Sequence, residues 1–402
     1  MSRPRLEVAD ILRLHGGEYR RKHGAALAPE QVRVLGAIER CRTGALGGHI
    51  HACDQCGHRV IAYNSCRNRH CPKCQSMATA QWREARRAEL LPVEYYHVVF
   101  TLPDGLGPVA LQNKAVVYDR LFQAVSQTLL RIGGDPKHLG AELGFLAILH
   151  TWGQNLMYHP HIHCVVPGGG LSRDSTEWIS CRSGFLFSVR VLSRLFRRLF
   201  LDRLTQDFAA GRIRFHGTAA HLNEPTAFER LMQSCRKSEW VVYAKPPFAG
   251  PEKVLDYLAR YTHRIAISNN RIVSLENGCV TFTWRDYSHN GTQGFLTLEA
   301  HEFIRRFLLH VLPDRFTRIR YYGFMAHCHR TPKLALCRRL LSARGSTDVP
   351  VPQKQDWAAL LISLTGVDPL LCPKCHQGRL ACIGTVEPVR LPPSHGPPGP
   401  PP

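Results

Sequence analysis

Apolar positions along this chain recur at two different periods, and the switch from one to the other marks out its elements. Residues 1 to about 40 follow a helical and basic pattern, and a helical, charged connector runs around Trp82 to Leu91. His97–Leu102 is a short apolar run stopped by Pro103, the mark of a buried strand. Leu121, Phe122, Val125 and Leu129 fall at helical spacing, whereas Gly144–Thr151 and His161–Val166 are strand-like. The second of these ends at Pro167 and the run Gly168-Gly169-Gly170. An amphipathic helix sets Leu192, Leu195, Phe196 and Leu199 against Arg194, Arg197 and Arg198. Trp240–Ala244 is a further strand. Ile272–Leu275 and Cys279–Trp284 flank Asn277-Gly278, a hairpin signal because both turn positions tolerate positive φ. Strands mixed with helices, a hairpin among them, predict an α+β fold: a palm-like antiparallel sheet with helices packed on it.

The 402 residues have room for two or three domains. Three are expected: residues 1–91, helical and Cys/His-rich; 92–330, the main α+β unit; and 331–402, an extension that turns irregular after His327. The last stretch, Pro388 to Pro402, is rich in Pro and Gly and is expected to be disordered.

Charge changes the picture. Lys and Arg number 52 against 31 Asp and Glu, a net charge of +21 spread from Arg3 and Arg5 to Arg338 and Arg339. A polyanion is the simplest partner, since each neutralised phosphate releases condensed counterions. A membrane surface is the rival. No apolar run approaches a bilayer span, and the N-terminus has no signal-like region. Four of the 15 cysteines sit in two CxxC pairs, which reads as reduced, metal-binding thiols in the cell interior rather than a secreted disulfide scaffold.

Those pairs, Cys53/Cys56 and Cys71/Cys74, are separated by fourteen residues. Two such knuckles can close four thiolates on one structural Zn²⁺. His49, His51, His58, Cys66 and His70 lie nearby and could replace a cysteine or hold a second ion. Arg67, Arg69 and Lys73 sit in and between the knuckles, displayed for phosphate contact or forming a solvated charged surface. Near the C-terminus Cys372-Pro-Lys-Cys375 repeats the knuckle as a half-site, with Cys382 and His376 close in sequence.

His159, His161 and His163 alternate. Residues two apart on a strand face the same side, so His161 and His163 can chelate one ion while Ile162 and Cys164 point away. Gln154 is a candidate oxygen ligand. Such a site polarises a phosphodiester as a Lewis acid; otherwise these are plain strand histidines. On Gly250–Arg264, Pro251 suits a first helical position, and Val254 and Leu258 supply an apolar stripe. Tyr257 and Tyr261, four apart, then share one helix face, either as packing residues or as nucleophiles able to store bond energy as a phosphotyrosine ester. Arg260 and Arg264 are close enough in sequence to assist.

The segments YNSCRNRHCPKCQ (63–75), HPHIHCVVPGGG (159–170), YLARYTHRIAIS (257–268) and FIRRFLLHVLPDRFTRIRYYGFMA (303–326), in this order, resemble the two-tyrosine HUH rolling-circle transposases of the insertion sequence ninety-one family. The resemblance implies an HUH nuclease fold with a small N-terminal zinc-binding domain. It implies Mg²⁺ or Mn²⁺ on His161 and His163, and it matches Gln154 to the third-ligand position. Tyr257 and Tyr261 become the nucleophiles, and Zn²⁺ falls on Cys53, Cys56, Cys71 and Cys74, with Cys66 and His70 as further candidates. His159 has no assigned role. The activity implied is nicking and rejoining of single-stranded or hairpin DNA at element ends, carried out at the nucleoid of a bacterium. Three rivals stand beside it. A replication initiator or relaxase would share the chemistry, a tyrosine recombinase would need no metal, and a zinc-finger regulator would bind DNA without cutting it.

Overall fold

The computed structural model describes residues 6–87, 89–245, 266–286, 292–343 and 357–389. In chain order, α1 (Val8–His23) and α2 (Pro29–Arg40) precede β1 (Gly48–Cys53), β2 (Arg59–Tyr63) and α3 (Pro72–Arg87). Then come β3 (Tyr95–Thr101), α4 (Gly107–Gln112), α5 (Lys114–Gly134), β4 (Gly144–Trp152) and β5 (Tyr158–Pro167). The short strands β6 (Gly169–Leu171) and β7 (Trp178–Ser180) lead to α6 (Val189–Ala209), α7 (Pro225–Lys237) and β8 (Val242–Lys245). After these follow β9 (Ile272–Glu276), β10 (Cys279–Asp286), β11 (Thr292–Glu299), α8 (Ala300–Leu309) and β12 (Ile319–Gly323). The described chain ends with α9 (Arg330–Ser342), α10 (Trp357–Thr365) and β13 (Leu380–Val386).

The fold is α+β with antiparallel sheets. Five strands in the order β12-β4-β5-β3-β8 form the principal sheet, and every neighbouring pair is antiparallel. Its two faces differ because strand side chains alternate. Val98 and Phe100 of β3, Phe145, Ala147 and Leu149 of β4, and Ile162, Cys164 and Val166 of β5 join one core with the apolar sides of α5 and α6. Phe196, Phe200 and Tyr118 are the large side chains that fill it. The opposite set, Tyr95, Leu146, Ile148 and Val165, packs with Leu90 and Trp82 of the connector at one end of the sheet. The other end of that face carries the histidines.

The expected Asn277-Gly278 hairpin is present. Both residues have positive φ, 50° and 73°, and β9 pairs with β10 from Glu276↔Cys279 onward. Its sheet, β11-β10-β9, shares a second core with α8 and with α1 and α2, where Ile11, Leu12, Leu35 and Ile38 meet Phe282, Phe303 and Phe307. The N-terminal helices thus pack directly against residues of the main unit.

One expectation about the C-terminal third is corrected. Among the described residues the chain after His327 is helical from Arg330 to Ser342: Leu334, Cys337 and Leu341 of α9 are buried against Leu171, Trp178 and Phe324, at helical spacing. Further on, β13 pairs antiparallel with β1 to build the sheet β13-β1-β2. Arg3, Arg5 and residues 390–402, most of the Pro-rich end, lie outside the described residues. Among the described residues no helix is long and apolar enough to cross a membrane.

Candidate metal centre

Register builds the centre. In the β4–β5 hairpin His150 stands directly opposite His161, and Ile148 opposite His163. All three imidazoles therefore emerge on the face away from α5 and α6, and one ring nitrogen from each lies within 4.8 Å of the others. His150 and His163 are buried and His161 half-buried. The ring centroids of His150 and His163 are 4.4 Å apart, and those of His161 and His163 4.8 Å.

Neighbouring groups orient these rings. The Nδ1 of His161 lies 2.6 Å from the carbonyl oxygen of His159, so Nδ1–H donates and Nε2 is left to face the group. His163 Nδ1 is 2.7 Å from Nε2 of the buried His97 on β3, and the two rings stack at 5.0 Å. His150 stacks on Trp152 at 4.7 Å. A metal-binding imidazole ordinarily has its second nitrogen fixed in this way, which sets tautomer and ring angle. Beneath the hairpin turn, burial pushes the His310 pKa down to about 3. Its Nε2–H donates to the carbonyl of Leu156, and its Nδ1 accepts from the Thr151 hydroxyl.

Gln154 is placed further along the hairpin than the three histidines. It lies in the turn beyond the Trp152↔Tyr158 pair, three strand positions past His161, or about 10 Å at 3.3 Å per residue. Its carbonyl accepts from Arg271. His159 is outside the group of three: it is half-buried, with its ring 5.3 Å from that of His161 and its Nδ1 3.7 Å from Asp104. Tyr257, Tyr261, Arg260 and Arg264 lie outside the described residues.

The cysteine quartet Cys53, Cys56, Cys71 and Cys74 is likewise corrected, because the two knuckles do not meet. Cys71 and Cys74, at the start of α3, gather with Cys41 from the end of α2 and with Cys66. Their sulfurs are 3.6–3.7 Å apart for Cys41–Cys71, Cys66–Cys74 and Cys41–Cys74. Hydrogen bonds from Cys66 and Cys71 hold the Cys41 thiol down at about 6. Cys53 and Cys56 gather instead with Cys372 and Cys375. The physical reason is the strand pairing: β1 and β2 carry the first knuckle toward β13 and away from α3.

Residues 144–332 match the family described as "Putative transposase", and residues 11–102 the one described as "Transposase zinc-binding domain". Across 397 residues the chain is 57% identical to "Putative transposase y4qJ" of Sinorhizobium fredii (strain NBRC 101917 / NGR234), covering 98% of each. The chain belongs to the IS91 family of transposases. It is also 28% identical over 348 residues to "Transposase for insertion sequence element IS801" of Pseudomonas savastanoi pv. phaseolicola, covering 86% of this chain and 82% of that one. No solved structure matches it.

Within this transposase, three residues of the zinc region do other work than expected. His70 is no thiolate partner: its Nε2 accepts from the Leu312 amide, its Nδ1 meets Asn68 Oδ1, and burial lowers its pKa to about 3. Arg69 is turned inward, donating to the carbonyls of Pro313 and Phe316 at 2.7 and 2.6 Å. Lys73 is paired with Glu7, and both side chains are largely covered. Of the three cations proposed for phosphate contact, Arg67 alone is exposed. Sequence reasoning missed His150 and Cys41. The signal for His150 was a single imidazole in the otherwise apolar run Gly144–Leu149; for Cys41 it was a cysteine just after a helical stretch.

Proposed function

We propose that this transposase nicks and rejoins single-stranded DNA at element ends through 5′-phosphotyrosine intermediates, in rolling-circle transposition on an HUH nuclease fold. The observation that carries the reading is the convergence of His150, His161 and His163, each ring oriented by a neighbour, on the face of the antiparallel sheet opposite α5 and α6. His150 takes the third-ligand role in place of Gln154. A divalent ion held there, Mg²⁺ or Mn²⁺, supplies Lewis-acid polarisation of the scissile phosphate. Three imidazoles are a softer donor set than the oxygens Mg²⁺ ordinarily takes, which favours Mn²⁺ in affinity.

The nucleophiles in this reading are Tyr257 and Tyr261. Both flanks of their segment are anchored beside the histidines: Lys245, closing β8, is registered opposite His97, and Ala266 packs in the core that contains Trp152. The tyrosine on the histidine strand itself, Tyr158, is a poor rival. Its hydroxyl lies 2.7 Å from that of Tyr118, and burial raises its pKa well above the usual range. In each transfer the tyrosine oxygen bonds to phosphorus as the bond to the 3′ oxygen breaks, and that oxygen leaves as a hydroxyl with a proton. Attack by a 3′-hydroxyl on the phosphotyrosine reverses the step onto a new strand and needs no outside energy source. Arg260 and Arg264 are assigned to the charge that develops at phosphorus.

The net charge of +21 supports a DNA partner held largely through phosphates. A replication initiator or relaxase would use the same chemistry; the family membership favours transposition. The test is to incubate the protein with single-stranded DNA from the element's ends and Mn²⁺, and to resolve products under denaturing conditions. A covalent protein–DNA adduct should form and should vanish in EDTA. Tyr257→Phe and Tyr261→Phe should each keep part of the cleavage but lose complete transposition. Cleavage that persists in EDTA, or an adduct that survives when both tyrosines are Phe, overturns the reading.

A further inference from the structure

Eight cysteines of this chain fall into two separate groups of four, and the second group uses residues from both ends of the chain. Cys53 and Cys56 precede Cys372 and Cys375 by more than 300 positions, yet Cys53 Sγ is 3.7 Å from Cys375 Sγ and Cys56 Sγ is 3.7 Å from Cys372 Sγ. All four sulfurs lie within 4.8 Å of one another. A tetrahedral ion with Zn–S bonds of about 2.3 Å sets its sulfurs about 3.8 Å apart. A disulfide would bring two of them to about 2.05 Å.

The turns that carry these sulfurs are built alike. At the first, the amides of Gln55 and Cys56 donate to Cys53 Sγ, the Gly57 amide donates to the Cys53 carbonyl, and Gly57 has φ of +66°. At the second, the Lys374 amide donates to Cys372 Sγ, the His376 amide donates to the Cys372 carbonyl, and His376 has φ of +56°. The Gly378 amide adds a bond to Cys375 Sγ. Backbone donors aimed at sulfur favour the thiolate form that a metal requires. A left-handed histidine in the matching position is a cost that the surrounding structure must offset.

The two turns also lock to each other. Asp54 N donates to the Arg379 carbonyl, and Arg379 N donates to Asp54 Oδ1 at 2.8 Å. Gly378 lies so close to the first turn that a Cβ there would come within 2.4 Å of Cys53 Sγ. From this point β13 runs along β1, with Leu380 opposite Cys53 and Val386 opposite Gly48.

We propose that Cys53, Cys56, Cys372 and Cys375 bind a second structural Zn²⁺ that fastens the C-terminal segment onto the N-terminal zinc-binding region, independently of the ion held by Cys41, Cys66, Cys71 and Cys74. The region matched to the zinc-binding family, residues 11–102, thus supplies only half the ligands of this ion. The site is saturated by thiolates, so its role is to hold structure and not to cut DNA. It does not depend on the nicking chemistry.

The test uses the full-length protein, purified without chelator. Titration with an organic mercurial releases thiolate-bound zinc, which a chromophoric indicator counts, while an ion held only by imidazoles is not released. Wild type should release two equivalents. Cys372→Ser and Cys66→Ser should each release one, from different sites, and Cys372→His, which keeps a zinc ligand, should retain two. Gly378→Ala should lose its second equivalent to a competing chelator well before the first, which keeps the proposal testable should Cys372→Ser fail to fold. Release of a single equivalent from wild type, two equivalents from soluble Cys372→Ser, or a Cys53–Cys375 disulfide found by mass spectrometry would overturn it.

Discussion

Replacing His150 separates the two candidates for the third ligand. His150→Gln keeps a polar side chain of similar size in a site that is 2% exposed, so the sheet should fold, while the ring that stacks on Trp152 and faces His161 is lost. Outer-shell partners of a metal site are worth about 10–100-fold in affinity, so a direct ligand should sit at or beyond the top of that range. A 100-fold loss corresponds to about 2.7 kcal/mol, at about 1.36 kcal/mol per factor of ten. Free Mn²⁺ is counted by its electron paramagnetic resonance signal during titration of the protein, and cleavage of single-stranded DNA is followed across the same concentrations. The variant should need about 100-fold more Mn²⁺ for both. Gln154→Ala, in the turn about 10 Å further along the strand, should bind and cut as wild type does. If Gln154→Ala shifts the isotherm and His150→Gln leaves it in place, the register argument for His150 is wrong.

Two further substitutions probe the groups around the rings. His97→Phe removes the partner 2.7 Å from His163 Nδ1. It should weaken Mn²⁺ binding about 10–100-fold while cleavage recovers at saturating metal; a loss of cleavage that no metal concentration restores would argue against an orienting role. His310 carries a folded-state pKa of about 3 against the ordinary 6.5, so the unfolded chain takes up its proton first as pH falls. Stability is therefore full above pH 6.5 and declines toward pH 3, by about 1.4 kcal/mol per unit from this residue. Denaturant unfolding at pH 7.5 and pH 5 should show His310→Gln losing about 2 kcal/mol less than wild type over that interval, and equal losses would refute the assignment.

What could be read from the sequence was the local part. The alternation of His161 and His163 is a property of one strand, and Ile162 and Cys164 do enter the helix-side core as that alternation requires. The Asn277-Gly278 turn is legible for the same reason, since its backbone angles are set by the two residues in it. His150 was hidden because its place beside His161 depends on hairpin register, which no single strand specifies. The knuckles show the same boundary. Each CxxC pair is visible alone, but which pair joins which is decided by β1 leaving α3 and meeting β13. Simple arithmetic offered a hint: Cys41, Cys53, Cys56, Cys66, Cys71 and Cys74 do not divide into fours until Cys372 and Cys375 are added. The inward turn of Arg69 and the pairing of Lys73 are not legible, because a charge in the sequence says nothing of whether carbonyls or a carboxylate lie within reach.

The pairing of β1 with β13 also sets an order of events during synthesis. Cys41, Cys66, Cys71 and Cys74 leave the ribosome close together, so their group can assemble while most of the chain is still being made. Cys53 must wait for Cys375, 322 residues later. At roughly 5–20 residues per second that interval is on the order of 15–65 s. Throughout it the outer edge of β1 has no strand beside it, and the first knuckle has only two of its four sulfurs. A nascent chain therefore lacks half the ligands of the proposed second zinc site until Cys372 and Cys375 emerge. A copy interrupted between α9 and β13 would carry His150, His161 and His163 and still lack the strand that closes its N-terminal sheet.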